Sequence, residues 1–200
     1  MTDEPVLTQE IIDYSEKRIQ EHVDRVQEFG EVLGIDCLEH DYTKSNDDLL
    51  ESYHWINWYY HVLNHPELGL DEVPYTSEMA LASWTHTKLE PHHPEHWDMN
   101  AEYRDSEEDR DDPEATKLVD ATLMSDEAIK EMAADWCSVS AEVGDSIYDW
   151  IAETVDTRWL FTDEQIGLIY SSVNKIVDYW LSNHEEVWWM IGDDIEEEMS

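Results

Sequence analysis

Positive charge is what this chain has least of. Eleven Lys and Arg stand against 50 Asp and Glu in 200 residues, a formal net charge of −39. With no basic patch to release counterions, direct binding to a nucleic-acid backbone is disfavoured. Cysteine is nearly absent: Cys37 and Cys137 are the only two, nothing requires them to pair, and a reducing compartment fits. No apolar run approaches the roughly 20 residues needed to span a bilayer. The opening MTDEPVLTQE lacks the basic segment and apolar run of a signal peptide. Missing too are internal repeats, alternating strand patterns, a glycine-rich phosphate loop, a G-x-S-x-G elbow and a Cys–His pair in a protease context. His184-Glu185 opens like the zinc-protease HExxH, but Trp188 stands at the closing position.

What is present is a core. Ten Trp and ten Tyr accompany regularly spaced Ile, Leu and Val, which disordered acidic chains lack. A chain of this length suits one domain burying roughly 70% of its unfolded surface. Spread along the whole length, the acids repel one another in ordinary salt, whereas in molar salt the Debye length falls to roughly 3 Å. That composition is expected of a cytoplasmic protein in a salt-accumulating halophile or its virus. An acidic DNA mimic is a more distant explanation.

The periodicity is helical throughout, so the fold class expected is an all-α, single-domain bundle with a core over about 8–156. A first helix runs from Thr8 to about Phe29, with Ile12, Ile19, Val23 and Val26 on its stripe and His22 among them. Gly30 and Gly34 allow a stop and a turn. Ser45 or Asn46 caps a second helix to about Leu63, carrying His54 and His61 and the aromatic run WINWYYH. Ser77 caps a third, reaching Leu89. The stretch 100–114 reads as a solvated acidic loop. Ser125 starts a helix with Ile129, Met132, Trp136 and Val139 on its stripe and Asp135 on or beside it. A short helix over about Ser146–Val155 follows, and Thr162 caps a last one running to about Ile191.

The window Trp84 to Met99, WTHTKLEPHHPEHWDM, holds His86, His92, His93 and His96. Neutral imidazoles are strong ligands for divalent transition metals. Pro91 breaks the helix carrying His86, because the residue before a proline is pushed out of the α region. His92-His93 then open the next element, with Pro94 in its first turn. Upstream, IDCLEHDYTK sets His40 and Asp41 side by side with Lys44 three residues on. The polar residues on apolar faces thus come from several helices, and in one bundle they meet only at its centre. Asp135 at the edge of a core is costly unless paired or coordinating.

The order His22, His40-Asp41, His86, His92-His93, Asp135, with Lys44 completing HDxxK, resembles the HD-domain metal-dependent phosphohydrolases. That resemblance implies His22, His40, Asp41 and Asp135 as core metal ligands, with His86 and His92 or His93 completing a second site. It implies Lys44 facing phosphate. HHPEHW is similar to the HHE segment of the HD-GYP branch, but the glycine and GYP that should follow are missing, so cyclic di-GMP hydrolysis is not implied. The combination HDYTK, H-x5-HHPEHW and MSDEAIxEMxxDW looks closer still to a family of small phage and bacterial proteins of unknown function, over Ile19 to Glu142.

The expected chemistry is hydrolysis of a nucleotide or other small phosphate ester, as a phosphohydrolase or phosphodiesterase. One or two divalent ions would activate water and neutralise the phosphoryl charge. Asp41 would bridge the ions or act as base. Histidine-rich ligation suits Mn, Fe, Co, Ni or Zn better than Mg. The alternative is a non-catalytic interaction or structural protein of phage or host on the same scaffold, with the metal structural or absent. Whether His54, His61 or His96 takes part is open, as are substrate, metal number and oligomeric state.

Overall fold

A computed structural model gives the fold and describes residues 6–103 and 118–184. Seven helices and two short strands occur among the described residues. The first helix, α1, spans Gln9–Leu33. Thr8 caps it by accepting from Ile11 N, and Gly34 closes it in the left-handed conformation at φ 72°. Gly30 does not stop the helix: it lies inside α1, where a Cβ would come 2.6 Å from the Cys37 sulfur. Its role is close packing rather than a turn.

A one-turn 3-10 helix, Tyr42–Ser45, follows the His40-Asp41 pair, and α2 spans Asp47–Asn64. Of the two cap candidates it is Asn46 that accepts from Asp48 N. α3 spans Ser77–Leu89 with Thr76, not Ser77, as the cap, its hydroxyl accepting from Met79 N. Thr76 has the extended backbone a cap needs, and Ser77 is already helical. The single turn α4, Pro94–Trp97, has His93 at its N-cap and Pro94 first in the helix.

The acidic stretch 100–114 is described only to Tyr103, which is irregular from Ala101; the rest lies outside the described residues. Beyond it, α5 spans Asp126–Val143, α6 Ile147–Thr154 and α7 Asp163–Asn183, each opened by its expected Ser or Thr. α7 stops at Asn183, where His184 takes up extended backbone, so the helix is shorter than its pattern; residues 185–191 lie outside the described set. Two strands, β1 (Val119–Asp120) and β2 (Trp159–Leu160), pair in parallel. Two residues each is too short to leave an alternation in sequence. Gln165 fastens this region to α7, its side-chain amide donating to the carbonyls of Ala121 and Met124 at 3.1 and 3.0 Å.

α1 is the hub, packing against α2, α5 and α7, while α5 also packs on α7 and α2 on α3. The main core is made by Val26, Phe29, Ile129, Met132, Ile147, Ile151, Ile169, Val173 and Ile176, all fully buried. A smaller cluster gathers Tyr53, Ile56, Met79 and Ala82. The histidines fall between the two, His22 one turn before Val26 and His86 one turn after Ala82. No helix of the described residues is long and apolar enough to cross a membrane.

Candidate metal centre

Each polar side chain is delivered by a different local device. His22 sits on the face of α1 turned towards α5. Asp41 adopts the left-handed conformation, φ 61°. That backbone costs an ordinary residue about 1–2 kcal/mol, and Asp tolerates it better than most. The turn puts His40 and Asp41 into one pocket from consecutive positions. His86 comes from the last turn of α3, and the break at Pro91 folds His92 and His93 back beside it. Asp135 projects from the middle of α5.

The seven meet. His22 Nε2 lies 3.1 Å from Asp135 Oδ1, 3.2 Å from His40 Nε2 and 3.3 Å from Asp41 Oδ2. On the other side of Asp41, His86 Nε2 lies 3.1 Å from Oδ1, His92 Nε2 lies 3.7 Å from it, and His93 Nε2 lies 2.9 Å from His86 Nε2. Asp41 therefore presents one oxygen to each of two ligand sets. The first is His22, His40 and Asp135; the second is Asp41, His86, His92 and His93. Both members of the His92-His93 doublet belong to it.

These spacings are compatible with shared ions as well as with hydrogen bonds. With metal–ligand bonds of roughly 2.0–2.2 Å, neighbouring donors stand about 3.0–3.5 Å apart. Most of the close distances here fall in or next to that range. Asp41 Oδ1 and His92 Nε2 are buried and make no hydrogen bond, although imidazole nitrogens crowd the first at short distance. A buried carboxylate oxygen without a donor is costly. Nitrogens that approach without bonding geometry are turning lone pairs to a shared point. A divalent cation there would satisfy both atoms, so the donor set fits a metal pair.

The far side of each ring is anchored. His22 Nδ1 lies 3.1 Å from Ser138 Oγ, and that hydroxyl also receives Arg25 Nε at 3.2 Å. His86 Nδ1 is 2.6 Å from Thr43 Oγ1, which donates to Glu90 at 2.7 Å. His40 Nδ1 is 3.0 Å from Glu131 Oε1. A proton held at Nδ1 leaves Nε2 as the bare donor, as in carboxylate–histidine–metal arrangements. Ser138, Thr43, Glu90 and Glu131 were not among the residues the sequence singled out. Glu131 had a legible signal, one turn before Asp135 on the same stripe.

Electrostatics follow this geometry. Burial works against charge on His40, but Asp41, Asp135 and Glu131 outweigh it and raise its pKa to about 10. Burial also opposes ionisation of Asp41, yet Lys44 and the surrounding imidazoles hold its carboxyl well below the usual range. His22 and His40 do the same for Asp135. Burial brings His86 down to about 4 against the pull of Asp41, and burial with its histidine neighbours keeps His93 low. His86 and His93 are thus neutral and ready to donate lone pairs.

A family model described as a family of unknown function, DUF5662, matches residues 12–183. That is most of the chain, and it includes every residue of both sets. The chain belongs to the DUF5662 family. Curated proteins and solved structures give no match. Family membership therefore carries no activity, and the geometry must speak for itself.

The other polar residues sort cleanly. Lys44 Nζ lies 2.5 Å from Asp41 Oδ2 with its side chain 22% exposed, at the rim of the site. His96 Nδ1 donates to the Lys88 carbonyl at 3.0 Å, a structural role. His61 stacks on Tyr14 and His54 is buried on α2; neither is part of the ligand sets.

Proposed function

We propose that this protein is a metal-dependent phosphohydrolase or phosphodiesterase, acting on a nucleotide or another small phosphate ester. The observation that carries the reading is Asp41, whose two oxygens each face a separate set of imidazoles. Such a carboxylate is the natural bridge of a binuclear centre. Two divalent ions of the Mn, Fe, Co, Ni or Zn class, when bound, supply a water of lowered pKa and charge neutralisation of the phosphoryl group. Histidine-rich ligation favours that class over Mg.

The chain's own residues do the rest. His22, His40 and Asp135 would hold one ion, and His86, His92 and His93 would hold the other, with Asp41 shared. Thr43, Ser138 and Glu131 fix the ring orientations. Asp41 would bridge two ions or, beside a single ion, serve as the base. Lys44, whose ammonium pairs with Asp41 at the rim, is the candidate phosphate contact. In a chain with six lysines, a cation at this position counts. The side chains of Asp135, Glu131 and Lys44 are 13%, 22% and 22% exposed, so the cluster reaches solvent on that side. The high acidity suits a salt-rich cytoplasm, that of a halophile or its virus.

Burial favours one rival. His40, Asp41, His86 and His92 are at most 3% exposed, as in closed sites where metal serves folding alone. A panel of phosphomonoesters, phosphodiesters and nucleotides, assayed with added Mn2+ or Co2+ in high salt, separates the two. Turnover that disappears in His40→Ala is expected. Bound metal without turnover of any ester would favour the structural role, and unchanged metal content in His40→Ala would remove the metal reading.

A further inference from the structure

Glu131 stands apart from the other anchors because it serves both halves of the centre. Its Oε1 lies 3.0 Å from His40 Nδ1 and 3.4 Å from His92 Nδ1. His40 belongs to the first ligand set and His92 to the second. The remaining anchors are private. Of the ligand-set rings, Ser138 contacts His22 alone, and Thr43 with Glu90 contacts His86 alone. The rings of His40 and His92 are tilted neighbours, 4.2 Å between centroids, so one carboxylate oxygen can receive both N–H groups. His92 Nδ1 is buried and makes no hydrogen bond, so the Glu131 oxygen 3.4 Å away is the acceptor within its reach.

Resting on the metal reading above, we infer that Glu131 is a positioning residue shared by both centres, setting the affinity of each through the ring behind it. Asp41 joins the two ligand sets from inside, and Glu131 joins them from outside. Charge points the same way. Asp41 and Asp135 leave two divalent ions with two positive charges uncompensated, and Glu131 is a carboxylate in contact with a ring from each ligand set. Spread through both imidazoles, its charge raises their basicity at Nε2.

His40, His92 and Glu131 also lie close enough to hold an ion themselves. That use is incompatible with the other. It would take the Nδ1 atoms, and rings that ligate through Nε2 as well would have to lose both protons. Two imidazolates beside three carboxylates is a poor arrangement, whereas two N–H donors on one acceptor oxygen is ordinary chemistry.

Calorimetric titration of the metal-free full chain with Co2+ tests this. The wild type is expected to take two equivalents. Ser138→Ala should weaken one binding step and Thr43→Val the other. Glu131→Ala should weaken both, by about 10-fold or more each, the range that outer partners of metal ligands carry. Glu131→Gln should recover part of both, since its amide oxygen still accepts. A change confined to one step, or to neither, would overturn the inference while leaving the metal centre intact. So would a third equivalent that Glu131→Ala removes, which would make Glu131 a ligand. A wild type that takes no cobalt would overturn the metal reading and this inference together. Melting of the metal-free variants separates a folding defect: if Glu131→Ala fails to fold, Glu131→Gln carries the test, both steps weakened supporting the inference and one alone overturning it.

Discussion

His22 Nε2 and Asp135 Oδ1 lie 3.1 Å apart, joining the middle of the first helix to the middle of the fifth. Both atoms are also close to His40 Nε2, at 3.2 and 3.8 Å. Asp135→Asn keeps the shape and removes the charge. It is predicted to weaken one metal-binding step by more than the roughly 10–100-fold that outer partners carry. Equilibrium dialysis against Mn2+ or Co2+ checks it; an affinity within threefold of wild type would place Asp135 outside the centre.

The seam between α1 and α5 continues past the His22–Asp135 contact. Glu142 accepts from Arg18 Nε and from Arg25 Nη2, and Arg18 Nη1 reaches Asn57 on α2. These side chains are about a quarter exposed, so solvent screens part of the pairing. Removing the carboxylate still takes the anionic partner from two guanidinium groups, leaving them the neutral acceptors Asn57 and Ser138. Glu142→Gln is expected to cost about 1–3 kcal/mol, the scale of a hydrogen bond to a charged group. At roughly 2–4 °C per kcal/mol for a chain of this size, the melting temperature should fall by several degrees. A shift under one degree would show the seam to be ornamental.

Both cysteines should be silent. Burial pushes the Cys37 thiol up to about 12, helped by Glu131 and Asp36, and burial with Asp135 raises Cys137 as well. The reactive thiolate is therefore scarce at pH 8. A disulfide-exchange reagent should label neither in the folded protein and both after denaturation. Rapid labelling of Cys37 under native conditions would mean that the segment after α1 opens readily.

Salt should stabilise the chain. At a net charge of −39, self-repulsion opposes the compact state, and screening relieves it. The melting temperature of the metal-free protein is expected to rise from about 0.1 M to molar KCl. A flat or falling profile would show that the charge is compensated locally.

The helices were legible because their signals are local. Apolar spacing, Ser or Thr caps and the break at Pro91 depend on a few adjacent residues. The clustering of these side chains was legible because His22 and Asp135 stand on stripes that should be apolar, and because HDYTK sets His40 and Asp41 side by side. Less visible were features set by tertiary contact. Gly30 looks like a stop but packs against Cys37 across a loop. The paired strands need both segments present. Thr43, Ser138 and Glu131 act only through rings brought to them by folding. Of these, Glu131 alone, one turn from Asp135, carried a periodic hint.

The account turns on whether Asp41 has an ion on each side. Anomalous diffraction at the manganese edge, from crystals of the full chain grown with Mn2+, reads this directly. Two peaks flanking Asp41, roughly 3.5–4 Å apart as in binuclear hydrolytic centres, are predicted. No peak within reach of His22 and His86, or a single ion with Asp41 turned away from it, would contradict it.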